Sequence, residues 1–193
     1  MRDLGGVRAH RGQVVQRAGL VTPAAATLPE ELISLSWLIG SWVGVGIGGY
    51  HNVPEFRFGQ EINFSCDGRP FLSYWSRSWL LDAAGQPVRP LAMETGFWRP
   101  QPNNQVEVVL AHPTGYAEVW VGEVAITELS DAMISGAKVE LRTDIVARTV
   151  TAKEYNAGQR LFGLVAGDLL WAYDMAAMGQ PLTSHVSARL KRA

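Results

Sequence analysis

The chain has little cysteine and little charge. Its 193 residues include one cysteine, Cys66, and 18% charged residues with a net charge of -1. A single cysteine excludes an internal disulfide and a zinc site made of several thiolates, and it favours a reducing compartment. A net charge near zero, with no basic stripe, provides no electrostatic footprint for nucleic acid. We therefore expect a cytoplasmic protein that does not bind nucleic acid.

Long apolar segments are also missing. No run approaches the roughly 18 residues that a membrane-spanning helix needs. The first residues are basic, but Thr22, Pro23 and Thr27 interrupt the apolar stretch that follows them, so we expect neither a secretory signal nor membrane association. Residues 1–29 show no sustained hydrophobic period, which predicts a mobile N-terminal arm before one folded domain over residues 30–193.

The rest of the chain reads as a series of strands. Turn signals rich in Gly, Pro, Asn and Asp separate segments rich in Val, Ile, Trp, Tyr, Phe and Thr, and the clearest alternation runs from Glu55 to Cys66. About ten strands favour an all-β fold that closes into an antiparallel up-and-down barrel, with a β-sandwich as the alternative. Residues 29–39 predict a short helical turn that could plug one end. A ten-stranded barrel is wide enough to hold a ligand.

One predicted strand is unusually rich in glycine. Alternation places Gly40, Trp42, Gly44 and Gly46 on one face, which leaves that face almost bare. Glycine inside a strand indicates a sharp bend, a closely approaching backbone, or room for a ligand. The residues themselves leave all three interpretations open, and a structural bend is the plainest of them.

The four histidines do not form a metal-binding motif. No two of them have the spacing that would place both on one face of a strand or helix, whereas a metal already held by a porphyrin needs only one axial imidazole. His10 lies in the predicted arm, and His51 and His112 adjoin turn signals, so we interpret these three as solvated or turn-stabilising. His185 is the remaining candidate.

His185 lies in the last predicted strand. Alternation groups its side chain with Thr183, Ser187 and Arg189, a polar set that would normally face water. A role inside the barrel therefore requires a partly polar cavity, or a β-bulge that turns the side chain inward.

Other catalytic groups are not evident. There is no G-x-S-x-G nucleophile elbow, and the glycines near residue 40 lack the lysine and the helix of a phosphate-binding loop. Glu61, Glu94 and Glu107 lie in predicted strands, where a salt bridge or a solvated face explains them. No side chain is therefore predicted to act as a nucleophile or a general acid.

Several ordered motifs together resemble a known family, the nitrobindins. The motifs are Gly40-x-Trp42-x-Gly44-x-Gly46, Phe64-Ser65-Cys66-Asp67-Gly68-Arg69-Pro70-Phe71-Leu72, Glu94-Thr95-Gly96-Phe97, Leu110-Ala111-His112-Pro113-Thr114-Gly115, Thr151-Ala152-Lys153-Glu154 and Pro181-Leu182-x-x-His185. Each motif alone is weak, but together they cover roughly residues 35–192 in the expected order.

The resemblance implies a fatty-acid-binding-protein-like or lipocalin-like barrel that binds one ferric heme b per chain. In the family pattern, His185 corresponds to the axial ligand of the iron and Lys153 to a position associated with the heme, where we expect pairing with a propionate. The implied activity is isomerisation of peroxynitrite to nitrate, with nitric oxide as a second ligand. Catalysis would then depend on the iron, and no further residue is assigned to it.

One position departs from the family pattern. Nitrobindins often carry a histidine where this chain has Cys66, and Arg69 replaces a lysine. Alternation predicts that Cys66 faces the cavity, so the substitution would make the cavity drier and remove a hydrogen bond to a ligand.

Two other functions remain open from the residues alone. The barrel could be a non-catalytic carrier of a fatty acid or another small hydrophobic molecule, or a protein-binding module that uses exposed tryptophans. A flat glycine-rich strand could also pair two barrels across a twofold axis, so a homodimer is one expectation.

Overall fold

The protein is a closed barrel of ten antiparallel strands. The computed structural model describes residues 28–193, in which a 3-10 helix, Glu30–Leu38, precedes the strands. The strands are β1 (Gly40–Tyr50), β2 (Val53–Ser65), β3 (Leu72–Leu81), β4 (Pro87–Pro100), β5 (Gln105–His112), β6 (Tyr116–Ser130), β7 (Met133–Arg148), β8 (Tyr155–Val165), β9 (Asp168–Ala177) and β10 (Thr183–Arg192). Sequential strands pair, and β10 closes the barrel against β1. The predicted all-β barrel is confirmed, and the sandwich alternative is wrong.

Two expectations concern the ends of the chain and the membrane. The N-terminal arm predicted over residues 1–29 lies almost wholly outside the described residues. Within residues 28–193, no helix is both long enough and apolar enough to cross a membrane.

The 3-10 helix closes one end of the barrel, as the sequence suggested. Its Leu32, Leu35 and Leu38 side chains are fully buried in the main apolar core. Arg192, at the end of β10, donates hydrogen bonds to the carbonyl oxygens of Ile39 (2.5 Å) and Trp37 (2.9 Å). These bonds satisfy carbonyl groups at the end of the helix, which have no partner within it. The barrel is therefore plugged at this end.

The glycine-rich strand allows close packing rather than leaving room for a ligand. A Cβ atom on Gly44 would lie 2.2 Å from the carbonyl oxygen of Arg189 on β10, and one on Gly46 would lie 2.4 Å from the ring of Phe58. Only glycine permits these approaches without a shift of the backbone or of a packed ring. Of the three interpretations of this segment, the closely approaching backbone describes the structure best.

Candidate functional site

A cavity of about 410 Å³ lies inside the barrel. It lies at the Tyr50 end of β1, away from the 3-10 helix. Gly48 pairs with Val186 and the carbonyl oxygen of Gly49 contacts His185, and both of these partners line the cavity, whereas Gly40, at the other end of β1, adjoins the helix. Its wall is largely aromatic and aliphatic, with a small number of polar groups. A concave, mostly apolar pocket with a few convergent polar groups is typical of a binding site for a small molecule or a cofactor.

A β-bulge turns His185 into this cavity. In the pairing of β10 with β9, Ser184 lies opposite Asp174 and Val186 lies opposite Tyr173, so His185 is the extra residue between them. A bulge changes the side of the sheet on which the following residues lie. His185 and Val186 consequently both line the cavity, although they are neighbours in sequence. Strict alternation would have left His185 facing water.

The local contacts of His185 leave one ring nitrogen available. Its Nδ1 lies 3.0 Å from the carbonyl oxygen of Gly49, and since a carbonyl can only accept, Nδ1 carries the hydrogen. Nε2 then has a free lone pair, the arrangement found in metal-binding histidines whose other nitrogen donates to a backbone carbonyl. The rings of Tyr50 and Tyr173 contact the imidazole edge to face, with centroids at 5.5 and 5.8 Å, and fix its orientation.

The protonation state of His185 fits the same role. Burial lowers the pKa of His185, and the hydrogen bond to Gly49 opposes this only partly. The folded protein therefore favours the neutral imidazole, which is the form that binds a metal ion.

Lys153 lies at the rim of the cavity in the connection between β7 and β8. Its side chain is exposed but belongs to the cavity lining. The hydroxyl of Tyr116 donates to the carbonyl oxygen of Lys153 at 2.9 Å, which fixes the backbone of this loop. An exposed ammonium group at the mouth of an apolar pocket can pair with a carboxylate that projects toward solvent.

The structure corrects the placement of Cys66, which is not among the residues that line the cavity. Strand β2 ends at Ser65, and its Phe64 lies opposite Gly40, at the plugged end of the barrel. The thiol accepts a hydrogen bond from the backbone N–H of Gly68 at 3.3 Å within the turn that follows. The prediction applied strand alternation to Cys66, which lies one residue beyond the end of β2. Alternation also does not show how far along the barrel axis a residue lies.

A buried ion pair crosses the interior next to the cavity. Arg160 on β8 donates two hydrogen bonds to Glu94 on β4, at 2.7 and 2.8 Å, and the hydroxyl of Tyr74 donates to the same carboxylate at 2.5 Å. Burial alone would raise the pKa of Glu94, but the charge and hydrogen bonds of Arg160 outweigh this effect, and the pKa falls to about 2. The guanidinium also contacts the rings of Trp120 and Tyr173, at 4.8 Å from each centroid. Both charges are thus held in place.

His112 and Glu118 extend this ion pair into a network of four residues. His112 Nε2 lies 2.7 Å from Glu118, and His112 Nδ1 lies 3.7 Å from Glu94. Burial raises the pKa of Glu118, but the hydrogen bond from His112 and the charge of Arg160 give a net lowering. We call Glu94, His112, Glu118 and Arg160 the buried network, and all four line the cavity.

The sequence did not reveal the buried network. Glu94 was expected either to form a salt bridge or to lie on a solvated face. It forms a salt bridge in the interior, with a partner 66 residues away on the other side of the barrel. His112 was interpreted as a residue at a turn, and it is indeed the last residue of β5, yet its side chain points into the cavity. Position next to a turn does not determine whether a side chain faces inward.

The donor set of the cavity suits a metal that already has most of its ligands. Among residues 28–193, no group of three or more His, Cys, Asp or Glu side chains is arranged to hold a metal ion. The free imidazole nitrogen of His185, in a largely apolar pocket with a cation at its rim, fits an iron porphyrin, which supplies four nitrogens and carries propionates. The residues of this cavity therefore fit a heme group.

Comparison with known proteins identifies the family. The model of the THAP4-like, heme-binding beta-barrel domain matches residues 31–192. A protein of Nocardioides sp. named peroxynitrite isomerase is 52% identical over 158 residues, which are 82% of this chain and 90% of that protein. A ferric nitrobindin-like protein of Kineococcus radiotolerans is 45% identical over 90% of this chain and 99% of its own length.

A solved structure gives the same result. The crystal structure of Rv2717c from M. tuberculosis superposes with a TM-score of 0.78 and 35% sequence identity, over 86% of this chain and 99% of that one. The fold, the cavity and the sequence matches agree, and the chain belongs to the family of THAP4-like, heme-binding β-barrel domains.

Proposed function

We propose that the protein binds one ferric heme b in the cavity through Nε2 of His185 and isomerises peroxynitrite to nitrate there. The observation that carries the proposal is the bulge at His185, which directs a neutral imidazole into an apolar cavity with its metal-binding nitrogen free. The name of the Nocardioides relative supports the reaction, and its 52% identity covers most of both chains.

The residues of the chain have separate roles in this proposal. His185 would ligate the iron, and Lys153 would pair with a propionate at the rim. Ferric heme, held by these residues, would supply the iron chemistry that isomerises peroxynitrite and could also bind nitric oxide. Apolar walls such as those formed by Phe56 and Val186 would keep bulk water from the reacting anion.

A hemin titration tests the proposal. Wild-type protein should give a Soret band that saturates at one hemin per chain, and His185→Ala should lose most of it. His51→Ala is the matched control, because His51 is exposed in the turn between β1 and β2 and does not line the cavity. An unchanged Soret band in His185→Ala would reject the ligand assignment.

The lipid-carrier alternative uses the same cavity without iron. Two features of the sequence favoured it: the missing histidine at Cys66 and the polar residues that alternation groups with His185. Cys66 lies outside the cavity lining, and the bulge turns His185 into the cavity, so neither feature supports the carrier in the structure. Native mass spectrometry of freshly purified protein separates the two functions. A bound heme mass supports the proposal, and a lipid mass without heme supports the carrier.

Oligomeric state and location stay predictions. The outward side of β1 exposes Val43, Val45 and Ile47, an apolar strip that a second barrel would cover in a homodimer. Light scattering at several concentrations would measure the mass in solution. A cytoplasmic location is expected from the single cysteine and is tested by fractionating cells.

A further inference from the structure

We propose that His112 is the group through which the cavity wall hydrogen-bonds a small anion, opposite His185. The inference rests on the proposed function, because it concerns the anion that His185 and the heme would bind. It starts from the buried network, which the axial ligation does not use.

The topology places the two histidines on opposite walls. His112 ends β5 and His185 lies near the start of β10, and four strands lie between β5 and β10 in either direction around the barrel. Both side chains line the same cavity. A molecule bound between these walls would have His185 on one side and His112 on the other.

Glu118 determines which nitrogen of His112 is free. Its carboxylate is ionised, so it can only accept, and the 2.7 Å contact therefore assigns a hydrogen to Nε2 of His112. Glu118 is in turn fixed by a hydrogen bond of 3.0 Å from the indole nitrogen of Trp120. Within the part of the chain that the structure describes, Nδ1 of His112 makes no hydrogen bond, and its nearest charged atom is on Glu94 at 3.7 Å.

This arrangement is that of a carboxylate–imidazole pair, in which the carboxylate orients the ring and the second nitrogen exchanges hydrogen bonds with a ligand. When the ring is neutral, Nδ1 can only accept a hydrogen bond, which an anion without a proton cannot donate, so Nδ1 binds such an anion only when the ring is protonated. When the ring is protonated, Nδ1 donates one, and the charges of the network then sum to zero, with two carboxylates, one guanidinium and one imidazolium. A hydrogen bond from a charged donor is the stronger kind.

The exposure of the four side chains fits a ligand contact at His112. Arg160 and Glu118 are only 5% and 1% exposed, so they form the rigid base of the network, whereas His112 is 16% exposed. The hydroxyl of Tyr155, a buried residue of the same lining, has no hydrogen-bond partner among the described residues. An unpartnered polar atom beside the network indicates a place for a polar ligand or an ordered water.

Groups on several elements face His112 and would influence its protonation. Glu94 approaches from β4, Glu118 and Tyr116 from β6, and Arg160 acts through Glu94, while Lys153 and Glu154 line the same cavity from the loop after β7. Any pH dependence must therefore be assigned by removing His112 itself.

The test is the affinity of the heme-loaded protein for fluoride, a small anion whose binding is followed by visible absorption. Wild type, His112→Gln, His112→Leu and the control His51→Gln are titrated between pH 6 and pH 8, after the Soret band has shown that each has bound heme. At pH 6, His112→Leu should bind fluoride at least about tenfold more weakly, the effect expected for loss of a hydrogen bond to a charged group. His51→Gln should match wild type.

His112→Gln separates hydrogen bonding from charge. Its amide can donate a hydrogen bond but carries no charge, so it should retain part of the fluoride affinity, whereas His112→Leu retains neither the donor nor the charge. This variant decides the question if His112→Leu does not fold by circular dichroism. Wild-type fluoride affinity at pH 6 in a heme-loaded His112 variant would overturn the inference alone. Failure of wild type to bind heme would overturn the proposed function and this inference together.

A second measurement needs no heme. The ¹⁵N chemical shifts of the His112 ring in the protein without heme should show a proton on Nε2 in the neutral form, because Glu118 accepts it. A neutral ring protonated on Nδ1 would leave Nδ1 directed at Glu94, and it would contradict the orientation on which the inference depends.

Discussion

Replacing Arg160 with methionine should strongly destabilise the protein. The guanidinium makes two hydrogen bonds to Glu94 in the interior and contacts two aromatic rings. Methionine keeps much of the side-chain volume but removes the charge and both bonds. Glu94 is then left buried with only the hydrogen bond from Tyr74. Breaking a buried pair in this way costs about 3–5 kcal/mol, because one charge stays in the interior without its partner.

The lowered pKa of Glu94 gives an energy of the same order, which combines the opposing effect of burial with the contributions of Arg160, His112 and Tyr74. The pKa falls from 4.5 to about 2, and a difference of about 2.5 pH units corresponds to about 3 kcal/mol. Since the folded state lowers the pKa, this stability is present above pH 4.5 and is lost as the pH falls toward 2. A loss of this size should lower the melting temperature of a chain of this length by about 10 °C.

Urea unfolding at pH 7, followed by tryptophan fluorescence, measures the effect. Arg160→Met should lose about 3–5 kcal/mol, and Arg160→Met/Glu94→Gln should recover most of the loss, because the second change removes the unpaired charge. Glu94→Gln alone completes the cycle. A loss below about 1 kcal/mol in Arg160→Met would refute the reasoning, since surface ion pairs contribute that little.

Three further predictions concern the glycine strand, Cys66 and His185. Gly44→Ala should cost about 1–3 kcal/mol in urea unfolding, because its Cβ would lie 2.2 Å from a backbone oxygen, whereas Gly163→Ala, with its nearest atom at 3.8 Å, should cost far less; equal effects would contradict the packing role of Gly44. Cys66→Ser should leave the hemin spectrum unchanged, since Cys66 lies outside the cavity lining, and a shifted Soret band would place it at the heme. Burial lowers the pKa of His185 below 6.5, so its contribution to stability is present above pH 6.5 and is lost as the pH falls. In protein without heme, the free energy of unfolding should therefore drop less between pH 7 and pH 5 in His185→Phe than in wild type. An identical drop in the two proteins would show that the pKa of His185 is not lowered by folding.

Most of the fold could be predicted because local patterns determine it. Alternation in β2, turn residues between strands and apolar positions before Gly40 indicated the barrel and its plug. Barrel closure followed from the number of strands and the need to protect their edges. The predicted strand around Gly40 was correct. The reason for its glycines was not predictable from local sequence, because the backbone that approaches Gly44 belongs to β10, about 145 residues further along the chain.

The site was only partly predictable. The resemblance singled out His185, but the bulge that turns it inward depends on the register between β9 and β10, which no local pattern shows. The buried network was missed because its members come from four strands that meet only when the barrel closes. Cys66 was misplaced because period-two alternation indicates a face of the sheet and not a depth along the barrel.

The most direct test of the account is rescue of heme binding by free imidazole. His185→Gly removes the proposed ligand and leaves a space that imidazole can enter. We expect the variant to bind hemin weakly, and millimolar imidazole to restore a Soret band close to that of wild type. A variant that binds hemin with the wild-type spectrum and affinity in the absence of imidazole would show that His185 does not hold the iron.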